Sequence, residues 1–229
     1  MRRGKFWSGN GGRSSFFRRE KFFPRRTCPA ESLVHHRIVL KLGILGSGKG
    51  SNFQAILDAI DRGDLRAEVA AVFSDVEDSG VLKIAKARGL PSEFLHPGPY
   101  RFKMGPDAEK QLVEKLRGAG VELVVLAGFM RIVKADLLEA FPGRIINIHP
   151  SLLPKFRGLE AWRQALEAGE KTAGCTVHYV DSGMDTGATI AQAEVPVLGD
   201  DTAESLHARI QKEEHRLLPE VIARHFVRS

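Results

Sequence analysis

The sequence predicts an α/β fold: a Rossmann-like, mostly parallel twisted sheet flanked by helices, with an antiparallel strand pair towards the C-terminus. Three observations lead there. Up to about residue 150, short apolar runs of strand length alternate with segments of helical spacing, the pattern of successive βαβ units. A glycine-rich turn, Gly46-Ser47-Gly48-Lys49-Gly50, follows the first of those runs and leads into a helix. Beyond residue 170, two strand-like runs are separated by only the seven residues 181–187, too few for a helical crossover, so they pair antiparallel.

The chain has 229 residues, enough for one domain or one domain with a tail. Its 43% hydrophobic content suffices for a core, while no apolar run approaches the ~18 residues of a membrane span. Two cysteines, Cys28 and Cys175, argue against a disulfide framework and suit a reducing, cytoplasmic setting. The formal charge of +6 is local. Residues 1–36 carry nine Lys/Arg against two Asp/Glu, and the rest carries 25 against 26. The basic character therefore belongs to the extension and implies no nucleic-acid partner for the folded domain.

Taken in order, residues 1–36 show neither a 2 nor a 3.6 period and read as a disordered basic extension. Three readings stand for it: an inert upstream addition, which is favoured, an organelle-targeting segment, or a binding arm for nucleic acid or an anionic membrane. The domain, 37–229, opens with a strand at 38–45. After the glycine turn, Phe53, Ile56, Leu57 and Ile60 mark one helical face. Strand, glycine turn and helix start make an anion site, because glycines let the backbone approach and the first N–H groups point at the ligand. Gly43 to Lys49 satisfies G-x-x-x-x-G-K, but Gly50 stands where a P-loop needs Ser or Thr, and Gly43 lies inside the strand. The dinucleotide fingerprint fails at Ser51. The turn is read as a monophosphate site using Gly50, Ser51 and Asn52, with a plain capped turn as the alternative.

A strand at 68–74, a weak helix at 78–87 and a short strand at 91–95 follow. Residues 96–105 are a loop, Pro106 opens a helix, and 122–127 is a buried strand. Gly128-Phe129-Met130-Arg131-Ile132-Val133 then sits at a strand's carboxyl end, where an apolar rim with one arginine suits a flat heteroaromatic ring carrying an acidic tail; ordinary loop packing is the alternative. A short helix at 135–141 precedes a strand at 145–149. Strands at 175–180 and 188–197 form the antiparallel pair, and Asp200-Asp201-Thr202 caps a last helix that Pro219 should kink or restart.

The most informative stretch is Ile145-Ile146-Asn147-Ile148-His149-Pro150-Ser151-Leu152-Leu153-Pro154. Alternation places Ile146 and Ile148 on one face and Asn147 and His149 on the other. Two extended residues span roughly 6–7 Å, so an amide and an imidazole can lean towards one carbonyl. Pro150 ends the strand, and ligands bind at such carboxyl ends in open parallel sheets. A lone Asn or His there is more often a satisfied turn residue; the pair followed by HPSLLP is far more specific. It resembles the folate-dependent formyltransferases, most of all the branch that acts on glycinamide ribonucleotide.

The resemblance covers about 37–226. It implies the formyltransferase fold and transfer of a formyl group from 10-formyltetrahydrofolate, as cosubstrate, to the amine of glycinamide ribonucleotide in de novo purine synthesis. It assigns catalysis to Asn147, His149 and Asp185, the last from the Gly-flanked loop 181–187. It matches the ribonucleotide site to Gly50, Ser51, Asn52, Phe53, Gln54, Gln211 and Glu214. It matches the folate pocket to Met130, Arg131, Ile132 and Val133 with Asp181, Ser182, Gly183 and Met184. The family's basic residue in 96–105 is Lys103 or Arg101, His178 matches a position near the site, and Leu153–Pro154 is the candidate cis bond. An amide, an imidazole and a carboxylate suffice for this chemistry: a fixed donor near the developing oxyanion is worth roughly 3–4 kcal/mol, His149 can donate as imidazolium or relay a proton, and an ionised Asp185 is expected to favour the charged imidazole and fix its orientation. No metal is required. Partners are small molecules, without a membrane, in a monomer or homodimer. Methionyl-tRNA formyltransferases share Asn-x-His and SLLP but carry a further RNA-binding domain, and formyltetrahydrofolate hydrolases carry an extra leading domain. Nucleotide-sugar formyltransferases would not need the phosphate loop. A non-catalytic nucleotide- or RNA-binding protein leaves Asn147, His149 and Asp185 unexplained. Deleting residues 2–36 should leave turnover intact; a large loss of kcat in the shortened protein would show that the extension takes part.

Overall fold

A computed structural model describes residues 39–227; the basic extension lies outside them. Five parallel strands come first: β1 (Leu40–Leu45), β2 (Ala67–Ser74), β3 (Ser92–Phe94), β4 (Leu123–Leu126) and β5 (Ile145–His149). Two antiparallel strands follow, β6 (Thr172–Tyr179) and β7 (Thr189–Pro196). The sheet order is β3-β2-β1-β4-β5-β6-β7. The helices are α1 (Ser51–Asp61), α2 (Gly80–Ala87), α3 (Pro106–Gly118), α4 (Ala135–Ala140), α5 (Ala161–Glu167) and α6 (Ala203–His225).

The parallel strands are apolar on both faces because helices cover both. Leu42, Ile44, Ile146 and Ile148 pack into a core with Phe53 and Ile56 of α1, Val81 of α2 and Leu206, Ile210 and Leu218 of α6. Leu45, Val124, Leu126 and Ile145 face the opposite way, towards Leu112 and Leu116 of α3 and Leu137 of α4. Alternation thus sends Ile146 and Ile148 to one core and leaves Asn147 and His149 on the other face of β5.

Gly43 has a packing reason of its own. A Cβ there would lie 2.6 Å from Cδ2 of Leu116 and 2.9 Å from Cγ1 of Val121. The glycine lets α3 and the turn after it press onto β1, a role unrelated to phosphate binding.

Two features depart from the sequence reading. Helix α5 had no counterpart in it; only Ala161 and Ala165 are buried, and two alanines make a faint periodic signal. Helix α6 continues through Pro219 and does not restart there. Proline removes one backbone hydrogen bond, and Pro219 is buried, as are Leu218, Val221 and Ile222 of the same helix. The Leu153–Pro154 peptide is cis.

The chain leaves β1 towards β2 and β3 on one side and returns to β4 and β5 on the other. The carboxyl ends of β1 and β4 therefore flank a topological switch point, where open α/β sheets bind ligands. Replacing Gly43 with Val should destabilise the protein by about 1–3 kcal/mol through overpacking. A denaturant midpoint equal to that of the parent protein would show that the β1–α3 contact tolerates the side chain.

Candidate active site

A cleft of about 650 Å³ opens at that switch point, along the carboxyl ends of β4 and β5 and the start of α1. Strand β5 delivers Asn147 and His149 to it. The antiparallel register places His178 of β6 opposite Asn147. Asp185 enters from the loop between β6 and β7 with φ of 53°, a left-handed conformation that Asp tolerates better than most residues. The structure thus brings Asn147, His149 and Asp185 together, with His178 as a fourth member.

Asp185 is the hub. Its Oδ2 accepts from the Gly158 N–H at 3.0 Å and lies 3.4 Å from Nδ1 of His149. Its Oδ1 accepts from Nδ2 of Asn147 at 3.4 Å and lies 3.6 Å from Nε2 of His178. His149 donates from Nε2 to the Phe156 carbonyl at 2.9 Å. His178 donates from Nδ1 to the Tyr179 carbonyl at 2.7 Å, so the Nε2 of a neutral ring is an acceptor, and Asn147 Nδ2 meets it at 3.2 Å. Both amide hydrogens of Asn147 are therefore engaged, though at distances longer than the usual 2.9–3.0 Å.

Burial pushes the His149 imidazole below its ordinary value, and this outweighs the opposing pull of the Asp185 charge and of the Phe156 carbonyl. The Asp185 charge favours the imidazolium as expected, but desolvation of the ring outweighs it. Burial pushes the Asp185 carboxyl up, but His178, the His149 ring and the Gly158 N–H together hold it below the usual carboxylate range. At rest the pair is a carboxylate facing the lone pair of a neutral imidazole.

The end expected to take a phosphate lies at α1. Gly50, its N-cap, has φ of 84° and no side-chain cap is present, so the first N–H groups of the helix are open to an anion. Gly50, Ser51 and Asn52 line the cleft, as do Gln211 and Glu214 of α6. Asn52 donates to Oε2 of Glu214 at 2.9 Å, bridging two elements 162 residues apart. Burial raises the Glu214 carboxyl, and the Asn52 hydrogen bond opposes it. Phe53 and Gln54 depart from expectation. The Phe53 side chain is fully buried in the core, and Gln54 donates to Asp58 at 2.7 Å on the helix surface. Neither side chain lines the cleft; the open main-chain N–H of Phe53 is what that position can offer.

At the end expected to take the folate, Met130, Arg131, Ile132 and Val133 line the cleft, as do Asp181, Gly183 and Met184. Ser182 is not among the lining residues. Asp181 closes its own loop, accepting from the Gly183 N–H and the Thr186 hydroxyl. Lys103 does not line the cleft either; its ammonium lies 4.5 Å over the Tyr100 ring. Arg131 is engaged as well. It donates from Nε to Asp75 at 2.6 Å and from Nη1 to the carbonyls of Tyr100 and Arg101. Asp75 also accepts from Ser47, whose hydroxyl accepts from the Met130 N–H. This arginine clamps the 96–105 loop to the first glycine turn instead of standing free for an acidic tail.

The sequence reading missed several cleft residues. Gly158 and the Phe156 carbonyl act through the backbone, which residue identity barely signals. Trp162 of α5 and His207 of α6 stack face to face, with ring centroids 3.7 Å apart and planes within 3°. His207 could have been found, since it shares one helical stripe with Gln211 and Glu214; Trp162 could not. Among the described residues, no cluster of three His, Cys, Asp or Glu is placed to hold a metal ion.

The formyl transferase family model matches residues 40–222. Phosphoribosylglycinamide formyltransferase of Bacillus subtilis is 44% identical over 182 residues, covering 80% of this chain and 92% of that protein. The trifunctional purine biosynthetic protein adenosine-3 of Drosophila melanogaster is 46% identical over 187 residues; the match takes in 80% of this chain but only 14% of that longer protein. Glycinamide ribonucleotide transformylase 1 from Symbiobacterium toebii superposes with a TM-score of 0.76 at 50% identity, over 81% of this chain and 86% of that one.

The ionisation of His149 is directly measurable. Its ring should titrate below 6.5, and lower still in Asp185→Asn, where the opposing charge is gone. Below pH 6.5 the unfolded chain takes up a proton that the folded ring refuses, so this group costs stability as pH falls and contributes nothing above. An NMR midpoint above 6.5 would contradict the balance described.

Proposed function

The chain belongs to the formyl transferase family, and from that premise we propose that it transfers the formyl group of 10-formyltetrahydrofolate to the amine of glycinamide ribonucleotide. The products are formylglycinamide ribonucleotide and tetrahydrofolate, a step of de novo purine synthesis. The observation that carries the proposal is the convergence of Asn147, His149 and Asp185 in one cleft with an uncapped helix start.

Each end of the cleft suits one substrate. The open N–H groups of α1 receive the phosphate, and Gln211 and Glu214 meet the ribose hydroxyls. The slot lined by Met130, Ile132, Val133 and Met184 takes the flat pterin, with Asp181 and Gly183 at its edge. The glycinamide amine and the formyl carbon then meet between them, beside Asn147.

Attack of the amine on the formyl carbon puts negative charge on the formyl oxygen and an extra proton on nitrogen. The long hydrogen bonds of Asn147 leave its amide N–H replaceable by that oxygen, and such contacts tighten only when substrate is bound. The proton that leaves the amine is taken up by the His149–Asp185 pair and comes to lie on Nδ1 of His149, between the ring and the Asp185 carboxylate. Returning it to the folate nitrogen releases tetrahydrofolate. Every step is acid–base and electrostatic.

We place the enzyme in the cytoplasm as a monomer or homodimer. None of the described helices is long and apolar enough to cross a membrane.

His149→Ala and Asp185→Asn should each lower kcat by about 10²–10⁴-fold while circular dichroism stays that of the parent. Tetrahydrofolate release should require glycinamide ribonucleotide. Near-normal turnover in either variant removes these roles, and release without acceptor marks a hydrolase.

A further inference from the structure

The geometry points to His207, stacked flat on Trp162, and Lys49 as a second, cationic wall of the phosphate cradle. These groups select a phosphorylated acceptor over its unphosphorylated riboside. The inference rests on the acceptor reading above and names the residues that make that acceptor's phosphate matter.

Three observations support it. His207, Gln211 and Glu214 fall at i, i+4 and i+7 on α6, so they form one stripe, and all three line the cleft. Lys49 lines the same cleft from the turn just before the uncapped start of α1. His149 and His178 each donate to a backbone carbonyl, whereas His207 makes no hydrogen bond among the described residues and neither ring nitrogen is sealed from solvent. What holds His207 is the indole: a stack at 3.7 Å fixes the plane of the ring and leaves its edge to meet a ligand.

The charges around that edge favour an anion. Lys49 is the charge that acts on His207; burial first and then this lysine depress the imidazole from 6.5. On α5 the neighbour of Trp162 is Arg163. On α6, Glu214, which Asn52 holds, lines the cleft with His207, and Glu204 feels Arg163; Glu160, just before α5, also lines the cleft and pairs with Arg163 at 3.5 Å. An empty cradle therefore keeps His207 neutral. A phosphate monoester beside Lys49 cancels the repulsion and stabilises the imidazolium, so the ligand recruits a proton and a second charge-assisted hydrogen bond. The open N–H groups of α1 would grip the ester from one side and this pair from the other.

Trp162 supplies the readout. The chain has two tryptophans, Trp7 and Trp162, so a Trp7→Phe background isolates the stacked one. A protonated imidazole against an indole quenches its emission. The pH midpoint of quenching should lie below 6.5 in the free protein, rise on adding glycinamide ribonucleotide, and stay put with the dephosphorylated riboside. His207→Gln should abolish the titration, and Lys49→Ala should raise the midpoint of the free protein. In kinetics, each variant should raise KM for the ribonucleotide at least about tenfold, with the loss in KM rather than kcat. A midpoint that ignores the ribonucleotide, an equal shift with the riboside, or an unchanged KM would each overturn the inference. Failure of the parent reading looks different: the wild-type protein would not formylate glycinamide ribonucleotide at all. In that case ribose 5-phosphate still decides this site, since raising the midpoint supports it and leaving the midpoint unmoved refutes it.

Discussion

The solvation of one charge organises the catalytic end of this molecule. The Asp185 side chain is only 13% exposed, and a carboxylate taken that far from water is costly unless donors meet it. The Gly158 N–H and the Asn147 amide donate to it from separate places, and the rings of His149 and His178 lie 3.4 and 3.6 Å away. Satisfying a single carboxylate therefore draws β5, β6 and the loop before α5 into one arrangement. The β5–β6 register, which sets Asn147 against His178, makes that possible. The same arrangement leaves a neutral imidazole beside a carboxylate, a pair ready to take a proton.

The position of the cleft follows from the sheet. Strand order reverses at β1, so the loops after β1 and β4 diverge and leave a crevice. The start of α1 opens into it without a cap, which is why an anion is expected there and not at Thr202. The α6 N-terminus is closed by a reciprocal bond between Thr202 and Ser205. Helix α6 joins the two halves of the design. Leu206, Ile210 and Leu218 anchor it in the core, while His207, Gln211 and Glu214 present a polar stripe to the cleft. Core packing thereby sets the height of the polar stripe in the cleft.

Arg131 shows how a residue can be correctly placed and differently employed. It lines the cleft, yet its guanidinium is bonded to Asp75 and to two loop carbonyls. Asp75 in turn holds Ser47, so the clamp ties the Met130–Val133 side of the cleft to the glycine turn before α1. The arginine acts on the pocket through loop position. Lys103, seated on the Tyr100 ring, is likewise occupied within the loop.

Much of this was legible in residue order, for a local reason. Strand and helix periods, the Asn-x-His strand end, the glycine turn and the switch from parallel to antiparallel pairing depend on neighbours along the chain, and each stands in the sequence as spacing. Phe53 and Gln54 show the limit, because the helix that begins the anion site turns one side chain into the core and the other away to Asp58. Which partner a charged or aromatic group finds depends on chain segments far apart in sequence. Arg131 with Asp75, Asn52 with Glu214, and Trp162 with His207 meet across 56, 162 and 45 positions. Burial decides the rest: the same carboxylate that would charge an exposed imidazole fails to charge His149, because only the folded structure removes the water that charge would need.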